Sequence, residues 1–201
     1  MDIVLLDNFD SFTYNLVDQF RSLGYPVTIY RNSLPAETIE AALANMDSPV
    51  LVLSPGPGAP ANAGCMPALI QKVKGKVPMI GICLGHQALV EAYGGTVEGA
   101  GEIVHGKSSM MRHNQHPVFA ELPTPLSIAR YHSLVATQVP ASLTEIADVN
   151  GLTMAVANDD DRVVGYQFHP ESVLTTQGAQ LLVNTLAWVT RPTTNAAGTK
   201  E

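Results

Sequence analysis

The sequence is poor in cysteine and in charge, and each shortage excludes a class of protein. The 201 residues include only two cysteines, Cys65 and Cys83, which are too few for a disulfide framework and fit a reducing compartment. Charged residues make up 14 % of the chain, and 18 acidic residues against 11 basic ones give a net charge of −7. This balance argues against nucleic acid or an anionic membrane as a partner.

A long apolar run is also missing at the N-terminus. Residues 1–10 have no basic flank and contain only the short apolar run from Ile3 to Leu6, a pattern unlike that of a signal peptide or a membrane anchor. We therefore expect a cytoplasmic protein that does not associate with a membrane.

Short apolar runs alternate with helical patterns along the chain, which is typical of an α/β fold with a mainly parallel sheet. Strands are predicted at 3–6, 27–30, 50–53, 79–82, 154–157 and 163–168, and helices at 11–23, 36–46, 66–73, 86–93 and 177–189. Residues 96–111 and 126–131 predict a smaller region of shorter antiparallel or mixed strands. The expected fold is an open, mainly parallel (mixed) sheet flanked by helices, in one domain over 1–190, with a loose tail at 191–201.

Cys83 lies where the apolar run of the fourth strand meets a helical pattern, in the segment GICLG from Gly81 to Gly85. Glycines on both sides permit a sharp turn, which would present the thiol beside backbone N–H groups and a helix N-terminus. This is the G-x-S-x-G nucleophile geometry with sulfur in place of oxygen, and a helix N-terminus favours a thiolate. A lone cysteine is more often a buried packing residue, so the motif alone is weak.

A second segment, FHPES from Phe168 to Ser172, favours a catalytic role for Cys83 over a packing role. Pro170 favours an extended conformation at His169, and residues two apart in an extended chain point to the same side. His169 and Glu171 can then face one site, where an imidazole and a carboxylate would serve a thiol as base and orienting group. Taken with Cys83, they predict a cysteine-based catalytic triad.

These motifs resemble those of the class I (triad-type) glutamine amidotransferases, whose G-x-C-x-G and H-P-E segments match Cys83, His169 and Glu171. Residues 54–58 (SPGPG) resemble the oxyanion loop of that family, and the pattern continues in order over about 3–190. The resemblance implies hydrolysis of the side-chain amide of glutamine through a thioester, with the N–H groups of Gly56 and Leu84 as oxyanion donors. It implies that glutamine is bound at Gly56, Pro57, Gly58, Gln87, Ser133 and Leu134.

Two further blocks, residues 7–13 (DNFDSFT) and 130–134 (RYHSL), resemble the glutaminase subunits of anthranilate synthase and aminodeoxychorismate synthase. The resemblance implies a hetero-oligomer in which this chain supplies ammonia to a chorismate-using synthase subunit. It implies no cofactor in this chain and a magnesium requirement in the partner. We favour anthranilate synthase as the complex to which this chain belongs. Aminodeoxychorismate synthase, or a role in both complexes, stays open as an alternative.

The segment from Gly101 to Ser108 (GEIVHGKS) also fits the phosphate-binding pattern G-x-x-x-x-G-K-[ST]. A genuine phosphate loop opens a long helix, whereas here the following residues are polar and end in Pro117. Within the amidotransferases, His105 to Ser109 resembles a segment that lies toward the synthase partner. We expect no metal site, because His113 and His116 are not accompanied by a carboxylate or thiol cluster.

Two functions from other classes remain as alternatives. A cysteine peptidase-like hydrolase would share the nucleophile turn and a histidine, but it would not require the loop at 54–58, Gln87 and the His-Pro-Glu segment together. A regulatory subunit without catalytic activity would keep the fold, and the intact triad argues against it.

Overall fold

A computed structural model describes residues 1–192, and the remaining nine residues, 193–201, lie outside the described part. The strands are β1 (Asp2–Asp7), β2 (Val27–Arg31), β3 (Pro49–Leu53), β4 (Met79–Ile82), β5 (Thr96–His113), β6 (Leu126–Gln138), β7 (Thr144–Val149), β8 (Leu152–Asn158) and β9 (Val163–Tyr166). The helices are α1 (Thr13–Ser22), α2 (Ala36–Ala44), α3 (Met66–Val73), α4 (Leu84–Ala92) and α5 (Gly178–Val189). No helix among the described residues is long and apolar enough to cross a membrane.

The strands form one mixed sheet in the order β2-β1-β3-β4-β9-β8-β7-β5-β6. The five strands from β2 to β9 pair in parallel, and the pairings from β9 to β6 are antiparallel. The expected α/β class and the mixed sheet are therefore confirmed, with the parallel and antiparallel pairings equally represented. β9 is the strand at which the two halves meet.

Side chains of the parallel strands alternate between two cores, one on each face of the sheet. Ile3, Leu5, Val50 and Val52 pack with buried residues of α1 and α5. The intervening side chains of the same strands pack with α2, α3 and α4 on the other face. Because both faces are covered, the inner parallel strands β1, β3, β4 and β9 are mostly apolar runs, which is why their positions were predictable; the edge strand β2 is partly exposed.

The antiparallel half differs from the expectation in two ways. The prediction of shorter strands at 96–111 and 126–131 was wrong, because β5 and β6 are the longest strands, with 18 and 13 residues. Their ladder is interrupted by register shifts, and glycines with positive φ occur at Gly101 and Gly106 of β5, so the sequence pattern breaks within a single strand. β7 was not predicted, because only half of its residues are buried.

The predicted C-terminal tail begins in a segment that contacts the domain. The guanidinium of Arg191 donates hydrogen bonds to the carbonyl oxygens of Trp188, at 2.7 Å, and Asp159, at 2.9 Å. It also lies 4.2 Å from the centre of the Trp188 ring. The rest of the predicted tail, 193–201, lies outside the described residues.

Candidate active site

Cys83 lies at the turn between β4 and α4, as its motif predicts. Its backbone has φ 51° and ψ −101°, a conformation that costs a side-chain-bearing residue about 1–3 kcal/mol and tends to occur at functional sites. The side chain is 7 % exposed. Its backbone N–H donates to the carbonyl of Tyr166 at 2.7 Å, which ties the nucleophile turn to the end of β9.

The two glycines of the motif are required by close backbone contacts. A Cβ atom at Gly81 would lie 2.6 Å from the carbonyl carbon of Gly85, and one at Gly85 would lie 2.3 Å from the carbonyl oxygen of Leu53. Both distances are shorter than real Cβ contacts. The absence of side chains therefore lets α4 begin directly against β3 and β4, with Cys83 at its N-terminus.

His169 and Glu171 form the pair that the His-Pro-Glu segment predicts. Nδ1 of His169 and Oε1 of Glu171 are 2.5 Å apart, and both side chains are almost fully buried. The backbone of His169 is held on both sides: its N–H donates to the carbonyl of Ala129 at 3.0 Å, and its carbonyl accepts from the Thr175 hydroxyl at 2.6 Å. The imidazole is thus fixed relative to β6.

The surroundings of His169 favour its charged form. Burial lowers the pKa of His169, but interactions with Cys83 and Glu171 outweigh that effect and raise it well above its usual range. Aromatic rings enclose the imidazole, since the ring centres of Phe12 and Tyr131 lie 5.3 and 5.1 Å from that of His169. The site therefore favours an imidazolium that is held by the carboxylate at Nδ1, with a buried Nε2 that has no hydrogen-bond partner among the described residues.

The loop at 54–58 approaches the start of α4 from the end of β3. A Cβ atom at Gly56 would lie 2.8 Å from Cδ2 of Leu84, so these two residues are neighbours beside Cys83. The loop is fixed by Asn8, whose side-chain amide donates to the carbonyl of Ser54 and whose N–H donates to the Ser54 hydroxyl, both at 2.9 Å. Leu84 is the first residue of α4, where a backbone N–H has no partner within the helix.

A cavity of about 200 Å³ opens beside the thiol. It is lined by Gly56, Pro57, Gly58, Cys83, Gln87, Tyr131, His132, Ser133 and Leu134. All six residues expected at the glutamine site thus border one cavity, although they come from three separate parts of the chain. His169 and Glu171 are not among the residues that line it.

Gln167 also lies beside the thiol, although no sequence motif marks it as a site residue. Gln167 is fully buried; its Nε2 lies 3.6 Å from the sulfur of Cys83, and its Oε1 accepts from Nε2 of Gln87 at 3.1 Å. Gln87 therefore contacts this second amide as well as the cavity. The available signal was an amide within the apolar run at 163–168, two residues before His169.

The chain matches the family described as glutamine amidotransferase class-I over residues 4–188. It is 67 % identical over 187 residues to anthranilate synthase component 2 of Vibrio parahaemolyticus, covering 93 % of this chain and 95 % of that protein. The corresponding protein of Buchnera aphidicola from Schizaphis graminum is 53 % identical, with the same coverage. A glutamine amidotransferase from Thermotoga maritima has the same fold, with a TM-score of 0.75, 17 % identity, and 96 % of this chain and 99 % of that chain covered. The chain belongs to the class I glutamine amidotransferases.

Proposed function

We propose that this chain is the glutaminase subunit of anthranilate synthase, which hydrolyses glutamine at Cys83 and delivers the ammonia to a chorismate-converting subunit. The observation that carries the chemistry is the arrangement around the thiol. Cys83 lies at a strained turn, next to a buried His169–Glu171 pair, and borders a small cavity at the start of a helix.

The triad can carry out acyl transfer without another reagent. With His169 as imidazolium, Cys83 reacts as thiolate, and its sulfur forms a bond to the side-chain amide carbon of glutamine while the C=O electrons move to oxygen. When the C=O bond re-forms, the C–N bond breaks, and Nε2 of His169 donates the proton that lets ammonia leave. Water, deprotonated by the now neutral His169, attacks the thioester and releases glutamate and the thiolate. Glu171 holds Nδ1 throughout.

The backbone around Cys83 is suited to the charge that develops on oxygen. Gly56 and Leu84 lie side by side next to the thiol, and we assign the oxyanion to their N–H groups. One such donor contributes about 100- to 1000-fold in rate. Gly58, Gln87, Ser133 and Leu134 line the remaining cavity, where we place the α-amino and α-carboxylate groups of glutamine, with Pro57 on its wall.

The relatives support a synthase partner and favour the anthranilate branch. The Vibrio and Buchnera proteins are both named as component 2 of anthranilate synthase, a name that implies a further component. Aminodeoxychorismate synthesis is the less favoured alternative. A peptidase-like hydrolase fits poorly, because a cavity of about 200 Å³ accommodates a small molecule rather than an extended peptide.

We assign no cofactor to this chain, because thiol, imidazole and carboxylate supply all the proton transfers of the proposed reaction. A magnesium requirement is assigned to the synthase partner. Ammonia would be protonated in bulk water and lost as a nucleophile, so the proposed complex needs a route that excludes water between the two sites. A cytoplasmic location remains a prediction from the sequence.

The test is to assemble the chain with its natural synthase partner, supply chorismate, and compare glutamine with ammonium as nitrogen source. We expect Cys83→Ala to abolish anthranilate formation from glutamine and to leave formation from ammonium intact. Cys65→Ala is the matched control, because Cys65 is the other thiol and lies outside the cavity. Loss of both activities in an assembled Cys83→Ala complex, or formation of a different aromatic product by the wild type, would contradict the proposal.

A further inference from the structure

The glutamine-binding residues of β6 lie where its pairing with β5 is broken. His132 is opposite Val104 and Leu134 is opposite Gly99. Four residues of β5, 100–103, are therefore inserted opposite Ser133 alone, which has no paired residue in that strand. The backbone that lines the cavity at Ser133 and Leu134 thus needs a restraint other than the regular ladder.

A buried guanidinium bridges this interruption. Arg130 on β6 is 3 % exposed. Its Nη2 donates to Oε1 of Glu102 at 3.2 Å, and Glu102 is one of the four inserted residues. Nη1 donates to the Ser109 hydroxyl at 3.4 Å, and Nε donates to Nε2 of His132 at 3.1 Å. One side chain therefore connects β6 to the inserted residues of β5 and to Ser109, which lies beyond them.

His132 carries this restraint to the cavity. Because its Nε2 accepts from Arg130, Nδ1 must hold the proton, and it donates to the carbonyl oxygen of Leu134 at 3.0 Å. The same oxygen accepts from Nε2 of Gln87 at 3.1 Å. Burial, followed by the charge of Arg130, lowers the pKa of His132 to about 4, so the ring stays neutral near pH 7 and keeps one donor and one acceptor.

We propose that Arg130 and His132 are positioning residues for glutamine, which hold the Leu134 carbonyl and Gln87 in the arrangement that binds the substrate. This inference rests on the proposed function, because it takes the cavity to be the glutamine site. Neither residue is assigned contact with the reacting atoms. Their loss should therefore weaken glutamine binding while leaving the thiol chemistry of Cys83 in place.

Two substitutions of His132 separate its two hydrogen bonds. The amide of His132→Asn lies near the position of Nδ1 and can still donate to Leu134, whereas that of His132→Gln reaches toward Nε2 and can accept from Arg130. If the bond to Leu134 is the one that matters, His132→Gln should raise the KM for glutamine about five- to tenfold, the effect of one lost hydrogen bond. His132→Asn should raise it less than threefold, and Arg130→Lys, which cannot reach all three acceptors, should resemble His132→Gln.

The experiment measures KM and kcat for glutamine in the complex with the synthase partner, together with ammonium-dependent activity as the control for folding and assembly. Labelling of Cys83 adds a second readout. The positioning variants should react more slowly with an electrophilic glutamine analogue at low concentration and at the wild-type rate with iodoacetamide, which has no α-amino or α-carboxylate group to be held at the glutamine site.

A fall in kcat with unchanged KM, equal effects of His132→Asn and His132→Gln, or slower iodoacetamide labelling would overturn the inference. If substitutions of Arg130 or His132 prevent assembly, Glu102→Ala replaces them, because Glu102 is half exposed and holds Arg130 from β5. Its KM should rise two- to threefold, and an unchanged KM would overturn the inference. A wild-type complex that does not hydrolyse glutamine would instead refute the proposed function.

Discussion

Acidification should destabilise this protein through two buried histidines. His86 on α4 is fully buried, and neither ring nitrogen has a hydrogen-bond partner in the described part of the chain. Burial, followed by the nearby His132, lowers the pKa of His86 to about 3, and that of His132 is about 4. In the unfolded chain both groups return to about 6.5. Below that pH the unfolded state binds more protons than the native state, so stability falls as the pH falls.

The size of the effect follows from these values. Between pH 7 and 5, each histidine should lower the free energy of unfolding by about 2 kcal/mol. A proton that only the unfolded state binds is worth about 1.4 kcal/mol for each pH unit below the unfolded pKa. His169 acts in the opposite direction, since its raised pKa gives stability that is fully present below the unfolded pKa and is lost as pH rises through the folded value. Between pH 7 and 5, His169 therefore adds about 1 kcal/mol to the free energy of unfolding. The three histidines together leave a net loss of about 3 kcal/mol.

The assay is urea unfolding at pH 7, 6 and 5, followed by the fluorescence of Trp188, the single tryptophan, which is 6 % exposed. His86→Gln removes one titrating group and should flatten the dependence of stability on pH by about 1 kcal/mol per unit below pH 6. His105→Gln, at an exposed histidine, is the control. Equal pH slopes for His86→Gln and the wild type, or an NMR titration of His86 in the folded protein above pH 5, would refute the reasoning.

Two further predictions concern the nucleophile turn and its base. Gly85→Ala should lower the free energy of unfolding by more than about 3 kcal/mol, the range of severe packing and strain effects, because its Cβ would lie 2.3 Å from the carbonyl oxygen of Leu53. A fall in melting temperature of less than about 5 °C would contradict this. Glu171→Gln should lower the pKa of His169, because the carboxylate helps to raise it, and should reduce the kcat for glutamine about 100-fold or more. The pH profile of Cys83 labelling by iodoacetamide measures the first effect, and a profile identical to that of the wild type would count against the role of Glu171.

The parallel half of the fold could be predicted largely because β1, β3, β4 and β9 are buried on both faces. β4 was predicted with its observed bounds, Met79–Ile82, and so was α3, Met66–Val73, where a clear apolar stripe follows Cys65. The antiparallel half lacks that signal. β5 is mostly exposed, so apolar and polar residues do not alternate regularly along it. Its length depends on pairing with β6 rather than on its own residues.

The positions of the candidate site residues could be predicted to a similar extent, and for a related reason. Cys83, His169 and Glu171 follow strands whose ends meet at one edge of the sheet, and short motifs mark each position. Gln167 carries no such mark, and the block at 130–134 that includes Arg130 does not reveal what its side chain does, because both roles arise from partners distant in sequence. Gln167 contacts a thiol 84 positions away, and Arg130 contacts a bulge in another strand.

The position of β9 between the two halves of the sheet has a consequence for biosynthesis. Cys83 follows β4 and His169 follows β9, so thiol and base meet only when these strands pair, although they lie 86 positions apart in the chain. A nascent polypeptide that has left the ribosome only as far as β8 holds the cysteine but not its base. The thiol and its base therefore cannot meet until β9 has emerged and paired with β4.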